Sequence, residues 1–213
     1  MAAHDLLMAG GGGGGGSPAT VVFAHQGAPY VTAFSWKSTG LSGTYSSPTT
    51  AIPGVGQGVA FSPSSNAIAI AHQTTPFISV YPWFSSGFGS KFTNPATLPA
   101  SSAYAVAFSP AGTEIAVAHT TTPFITAYPW SNSGFGAKFT NPATLPGTGG
   151  TGVAFSPSGN AIAVTSTSSP YIRAYPWSSS GFGTAFSNPA TAIPNLGNDV
   201  AFSSSGLNPP PNA

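Results

Sequence analysis

The 213-residue sequence contains no cysteine. Its fold therefore cannot depend on disulfide bonds, and it is compatible with reducing and oxidising compartments alike. No apolar stretch approaches the roughly 20 residues that a membrane-spanning helix needs. The first residues also lack the basic start and long apolar segment of a secretory signal. We therefore expect neither membrane insertion nor export by that route.

Charged side chains are almost as scarce, at 3% of the sequence, whereas roughly a quarter is usual in soluble proteins. Four basic and three acidic residues cannot form a stripe that neutralises many phosphates, so nucleic acid is not an expected partner. General acids, general bases and most metal ligands must come from titratable groups. The scarcity therefore predicts a protein that is not an enzyme and carries no metal or cofactor.

What the sequence does contain is a repeat of 47 residues. The four tryptophans, Trp36, Trp83, Trp130 and Trp177, are each 47 positions apart, and four V-A-F triplets follow the same period. Between positions 59 and 99, 30 of 41 residues recur identically 47 positions later. Such a repeat indicates tandem copies of one structural unit.

Each repeat contains four short β-prone runs separated by turn signals. In the third copy these begin at Val106 (VAFSP), Glu114 (EIAVAHT), Phe124 (FITAYPW) and Phe135 (FGAKFTN), and the third alternates at period 2. Four strands in about 47 residues is the size of one propeller blade. The sequence therefore predicts an all-β fold, a β-propeller of about four four-stranded blades.

The phase of the repeat predicts how the ring closes. The chain enters the pattern at the second strand of a blade (21–26) and leaves it at the first strand (200–204). We expect the C-terminal strand Val200–Phe202 to complete the first blade; the alternative is that two chains exchange their terminal strands to form an eight-bladed ring. The predicted organisation is an anchor peptide and glycine-rich linker at 1–18, propeller repeats at 19–205 and a proline-rich tail at 206–213.

The runs VAFSPSSN, VAFSPAGT and VAFSPSGN resemble the first strand and turn of a WD-repeat blade. The segment Ile172–Pro176 is similar to that family's I-R-V-W-D, with Tyr175 in place of tryptophan and Pro176 in place of aspartate. The family's Gly-His dipeptide and structural aspartate are missing. The resemblance implies the strand pattern of a WD-like blade without its usual side-chain network.

The opening M-A-A-H-D-L-L-M-A and the glycine tract at 10–16 resemble the start of structural proteins of tailed bacteriophages, several of which carry near-neutral V-A-F-S-P repeats. This resemblance implies a virion structural protein, such as a capsid decoration, head fibre or tail-associated protein. It would be synthesised in the host cytoplasm and be present in the particle in multiple copies.

The apolar residues Leu6, Leu7 and Met8 cannot belong to a blade, because seven glycines separate them from the first repeat. Glycine has the largest conformational entropy to lose on ordering. Burial of each apolar side chain on a partner stabilises the contact by roughly 1.5–3 kcal/mol. We therefore expect these residues to anchor the protein to other virion proteins.

Three histidines, His25, His72 and His119, occupy equivalent repeat positions, with Ser166 as the fourth member. Two interpretations are open: a metal-binding circle, or structural histidines hydrogen-bonded to a neighbouring turn. Propeller blades generally hold such positions too far apart for one ion, which favours the structural interpretation.

Paired aromatic residues also recur on one face of each third strand. One interpretation is core packing between blades; the other is a platform for glycan or partner contact, since sugar faces stack on aromatic rings. The latter would give a lectin-like adhesion protein that recognises a host-surface glycan. The candidate contact residues are Tyr81, Trp83, Tyr128, Trp130, Tyr175 and Trp177.

Overall fold

A computed structural model of the chain describes residues 19–203. Within this range all regular secondary structure is β-strand, arranged in four consecutive antiparallel sheets, which confirms the all-β prediction. The described residues contain no helix long and apolar enough to cross a membrane.

The four sheets are named units 1 to 4 in chain order. Unit 1 contains β1 (Thr20–Ala24), β2 (Val31–Lys37) and β3 (Gly40–Thr44). Unit 2 contains β4 (Gly56–Phe61), β5 (Ala67–His72), β6 (Ile78–Phe84) and β7 (Gly87–Phe88). Unit 3 contains β8 (Ala103–Phe108), β9 (Glu114–His119), β10 (Ile125–Ser131) and β11 (Gly134–Phe135). Unit 4 contains β12 (Gly150–Phe155), β13 (Ala161–Ser166), β14 (Ile172–Ser178) and β15 (Gly181–Phe182).

The turn between the first two strands of a unit is fixed by a buried serine. In unit 3, the Ser109 hydroxyl accepts a hydrogen bond of 3.1 Å from the Glu114 N–H. In unit 2, the Ser62 hydroxyl accepts one of 3.0 Å from the Ala67 N–H, and Ser156 does the same in unit 4. These hydroxyls satisfy backbone N–H groups where the chain turns from the first strand to the second.

The fourth strand is much shorter than the sequence predicted. In unit 3 it covers only Gly134–Phe135 instead of the full run from Phe135. The Pro129 carbonyl accepts a hydrogen bond of 2.8 Å from the Gly136 N–H, on the outer side of β10. The N–H and C=O of one residue point to the same side of an antiparallel strand, and proline has no N–H, so β10 lacks one donor on that side. The pairing between β10 and β11 therefore loses one hydrogen bond at Pro129. Further along the chain, the Phe139 N–H donates to the Ala127 carbonyl of β10 at 2.9 Å.

The hydrophobic core lies between units rather than within them. The aliphatic face of unit 2, with Ile78 and Val80, packs against Tyr128 and Trp130 of unit 3. Equivalent clusters join unit 3 to unit 4 and unit 1 to unit 2. Because each sheet has apolar residues on both faces, no unit can bury its core alone.

Each of these three junctions also contains a tryptophan surrounded by three aromatic rings, here called an aromatic cage. In the junction of units 2 and 3, Trp130 contacts Phe92 of unit 2 and Phe108 and Phe135 of its own unit, with ring centroids 5.0–5.6 Å apart. The rings meet edge to face, at 73–81°, which is a favourable aromatic geometry. Trp177 has a cage of three phenylalanines as well, and the cage of Trp83 has Tyr45 in place of the first phenylalanine.

Unit 1 departs from the prediction. Residues Val200–Phe202 form no strand, and the sheet of unit 1 has the order β1-β2-β3 within residues 19–203. The closing of unit 1 by this segment therefore stays a prediction. Gly197, three residues before Val200, contacts unit 4, where its N–H donates to the Ser166 carbonyl at 3.0 Å, as the Gly56 N–H donates to the His25 carbonyl of unit 1. The predicted anchor residues Leu6, Leu7 and Met8 and the tail at 206–213 lie outside the described residues.

Candidate functional site

A cavity of about 290 Å³ lies where the first strands of the units converge. It is lined by consecutive residues of the V-A-F triplets, together with residues of β1. The lining segments are 20–22, 58–61, 105–108, 153–155 and 199–202. The repeat thus brings its most regular motif to one central place.

The cavity wall combines apolar side chains with polar backbone groups. Strand β4 is an edge strand that pairs only with β5, and the Ser62 N–H donates to Ala67 of β5. In an antiparallel strand the backbone N–H and C=O groups of successive residues point to opposite sides. Since those of Ser62 face β5, those of Phe61 and Val59 face away from it. Units 3 and 4 repeat this arrangement at Ser109 and Ser156. The cavity can therefore offer backbone donors and acceptors to water or a small polar molecule.

Asp199 is the only titratable residue among those lining the cavity. Its repeat equivalents are the small residues Gly58, Ala105 and Gly152. A β-carbon on Gly152 would come within 2.7 Å of the Asp199 Cα, so the two positions are in close contact. The sequence argument missed Asp199, although an acidic residue at a position otherwise occupied by glycine or alanine was a visible signal. A single carboxylate does not supply the pair of groups that general acid–base catalysis commonly uses.

The repeated histidines are structural within the described residues. His72 Nε2 lies 3.1 Å from the Ser79 hydroxyl, and His119 Nε2 lies 2.8 Å from that of Thr126. Burial lowers the pKa of each of these two imidazoles to about 4, because a charged ring is poorly solvated there. No group of three or more metal-ligating side chains occurs among residues 19–203, so the histidine circle gains no support as a metal site.

The predicted glycan or partner contact residues are buried. Tyr81, Tyr128 and Tyr175 are fully enclosed, and the paired residues Trp83, Trp130 and Trp177 are 5–8% exposed. Exposed rings are needed to stack on a sugar, whereas these side chains pack in the clusters between units in this structure.

The tyrosine hydroxyls show what this packing achieves. Tyr81, Tyr128 and Tyr175 each donate a hydrogen bond of 2.7–2.8 Å to a threonine carbonyl 31 residues earlier, in the loop that leaves the preceding unit. Burial raises the pKa of Tyr81 to about 12 and also raises the pKa of Tyr128 and Tyr175. The three phenols therefore stay neutral donors and tie each unit to the one before it.

Comparison with solved structures finds the same fold in larger proteins. A putative 6-phosphogluconolactonase from Bacteroides uniformis is 12% identical, with a TM-score of 0.54, over 72% of this chain and 49% of that one. A functionally unknown protein from Desulfotomaculum acetoxidans is 16% identical, with a TM-score of 0.60, over 83% of this chain and 53% of that one. The chain thus spans about half the length of these structures. No protein-family model and no curated protein sequence matches the chain.

The first of these similarities corrects the prediction that the chain is not an enzyme. That exclusion depended on composition, yet the fold is shared with a protein described as a putative enzyme. At this level of identity the likeness shows the fold alone and assigns no activity. The repeated antiparallel units are consistent with a β-propeller-like fold.

Proposed function

We propose that this chain is a structural protein of a tailed-bacteriophage virion, acting in particle assembly or host-surface contact. The main support for this proposal is the location of the exposed apolar side chains. Of the five large hydrophobic side chains that are exposed within residues 19–203, four lie in unit 1 or in the segment after unit 4: Phe23, Leu41, Leu196 and Phe202. Exposed apolar side chains that come together in one patch mark an interaction site on a protein surface.

The chemistry of the surface supports the same role. With seven charged residues and a net charge of +1, copies of the chain repel each other weakly, which favours dense packing on a particle. The resemblance of the opening residues and of the V-A-F-S-P repeats to phage structural proteins supplies the biological setting.

We also propose that the four units are arranged as the blades of a β-propeller. The first strands of units 2, 3 and 4 line one cavity together with β1 and residues 199–202, as the inner strands of blades line a central channel. In this arrangement each unit is one blade and the cavity lies on the propeller axis.

The proposal predicts that residues 1–9 attach the protein to the particle. A chain lacking these residues should fold normally, as judged by an unchanged melting temperature, yet be missing from purified virions in quantitative mass spectrometry. A variant with Leu6→Ser, Leu7→Ser and Met8→Ser is the matched control that keeps the length of the segment. Incorporation of both variants at the level of the unaltered protein would contradict anchoring by this segment, and absence of the unaltered protein from particles would contradict the proposed function.

This assembly role does not depend on whether the fold also supports catalysis. Since a structural neighbour is described as a putative 6-phosphogluconolactonase, lactone hydrolysis is the first activity to assay.

A further inference from the structure

The fourth repeat differs from the other three at one pair of neighbouring positions. In units 1, 2 and 3, a histidine near the end of one strand lies 2.8–3.1 Å from a serine or threonine hydroxyl of the strand paired with it. In unit 4 these two positions are occupied by Ser166 and Arg173. A hydrogen-bonded pair of neutral groups is thus replaced by a pair that contains a permanent positive charge.

The guanidinium of Arg173 has a buried donor without an acceptor. Within residues 19–203, the Arg173 Nε is buried and has no hydrogen-bond partner. The Ser166 hydroxyl, which could have served as the acceptor, donates instead to the Ser168 carbonyl at 3.0 Å. A guanidinium stays charged at any pH at which a protein remains folded. A buried donor on such a group is therefore costly unless an acceptor binds to it.

Arg173 lies at the edge of the junction between units 3 and 4. Along β14 it shares one strand face with Tyr175 and Trp177, and both of these aromatic side chains belong to the cluster between the two units. Its cross-strand partner Val164 belongs to the same cluster. These three neighbours are buried, whereas Arg173 is only partly buried. The charged side chain is therefore held against an apolar junction while part of it remains open to solvent.

The lysines of units 2 and 3 show how the chain satisfies a positive charge where an acceptor is at hand. Lys91 and Lys138 occupy equivalent repeat positions, and each ammonium donates to the side-chain oxygen of an asparagine three residues later. The equivalent position of unit 4 is Ala185. Unit 4 thus carries its cation at Arg173 instead, without a corresponding acceptor.

The described carboxylates of the chain itself are placed elsewhere. The Glu114 carboxylate accepts a hydrogen bond of 2.9 Å from the neighbouring Thr113 hydroxyl. Asp199 lines the cavity, and Arg173 is not among the residues that line it. An acceptor for the guanidinium must therefore come from outside the described part of the chain.

We propose that Arg173 binds a carboxylate group at the edge of the junction between units 3 and 4. A planar guanidinium presents pairs of parallel N–H donors that match the two oxygens of a carboxylate, and Nε belongs to one such pair. One guanidinium neutralises one negative charge, which favours a carboxylate over a phosphate monoester with roughly twice that charge. The carboxylate belongs to a small ion or to an acidic side chain of a partner, and this site does not depend on the proposed virion role.

The composition of the chain allows a direct test in the full-length protein. Arg173 is its only arginine, so the Nε–H group gives a single arginine resonance in a proton–nitrogen correlation NMR spectrum. Acetate supplies a free carboxylate, and aspartate blocked at both its amino and carboxyl ends supplies the same group as a side chain. We expect a saturable downfield shift of the Nε–H proton, because a charge-assisted hydrogen bond is short. The probe that saturates at the lower concentration identifies the source of the carboxylate.

A matched control variant gives unit 4 the neutral pair of unit 3. Ser166→His combined with Arg173→Thr reproduces His119 and Thr126, whose Nε2 and Oγ1 atoms lie 2.8 Å apart. Acetate at about ten times its dissociation constant should raise the melting temperature of the unaltered protein by about 3–5 °C, relative to sodium chloride at equal ionic strength. The variant should show no such rise, and an equal rise in both proteins would overturn the proposal.

Two results of the titration also overturn it. The first is an Nε–H resonance that does not move with either carboxylate probe. The second is an equal or larger shift with inorganic phosphate or chloride at the same ionic strength, which would show a general response to anions instead of carboxylate recognition. Both titrations use the unaltered chain, so they decide the question even where the control variant fails to fold.

Discussion

Units 1 and 3 are built from the same repeat, yet they differ in how completely they are packed. The second strand of unit 3, β9, is buried along all but its first residue, whereas its equivalent in unit 1, β1, is only partly buried and exposes Phe23. Trp130 of unit 3 is 5% exposed inside its aromatic cage, while Trp36 of unit 1 has no cage in the described structure. Sequence similarity between repeats therefore does not ensure equal packing, because each unit depends on its neighbours for burial.

The largest expected difference between the two units is in the cost of removing the tryptophan. Trp130→Ala should lower the free energy of unfolding by about 3–5 kcal/mol, because it leaves a cavity among three rings. Trp36→Ala should cost no more than about 1–2 kcal/mol in dilute, monomeric protein, because a partly exposed side chain loses less burial. Urea denaturation of both variants at low protein concentration checks this. Equal losses would show that the junction of units 4 and 1 is already assembled in the monomer.

A smaller effect is expected from acid, and it comes from units 2 and 3. His72 and His119 have a folded-state pKa of about 4 against an ordinary value of 6.5, so the unfolded chain takes up protons first as the pH falls. The stability contributed by their neutral form is complete above pH 6.5 and is lost progressively between pH 6.5 and 4. At pH 5.5 the loss should be about 1.4 kcal/mol for each histidine.

Chemical denaturation at pH 7.5 and 5.5 measures this loss, and a variant with His72→Gln and His119→Gln is the control. The control should show a much flatter dependence on pH over this interval. An equally steep dependence in the control would assign the acid sensitivity to other groups.

The smallest effect is expected at the hydrogen bonds between units. Tyr128→Phe removes the donor to the Thr97 carbonyl and should cost about 1 kcal/mol, within the usual range for a neutral hydrogen bond. Phe34, at the equivalent position of unit 1, shows that the repeat accommodates a phenyl ring there. Tyr45→Phe is the matched control, since the Tyr45 hydroxyl makes no hydrogen bond in the described structure. A thermal unfolding series in which both variants lose the same stability would contradict the assigned role of the Tyr128 hydroxyl.

Much of the fold could be predicted from the sequence because the repeat supplies the same evidence several times. Strand β10 is an example: it has Ile125 and Ala127 on one face and Tyr128 and Trp130 on the other. Such strands were predictable from this alternation and from the turn residues at both ends. The length of the last strand of each unit was not predictable, because it depends on the side of the preceding strand on which a backbone N–H is missing, as at Pro129 of β10. That side is set by the sheet register and not by the local sequence.

The candidate site was less predictable than the fold. Aromatic pairs such as Tyr128 and Trp130 have the same composition whether they form a core or a sugar platform, and only the neighbouring unit decides between the two. The cavity and the position of Asp199 within it also required the structure, because the lining residues come from five separate segments of the chain.

The sequence alone determined the number of repeats, the strand order within a unit and the absence of disulfides, since period, alternation and composition are local properties. The tertiary structure decided which faces are buried, that His72 and His119 serve as neutral hydrogen-bonding groups, and that residues 199–202 line one cavity with the first strands of units 2 to 4. These properties depend on contacts between units, and a contact between residues far apart in the chain forms only where the geometry of all the intervening units brings its two sides together.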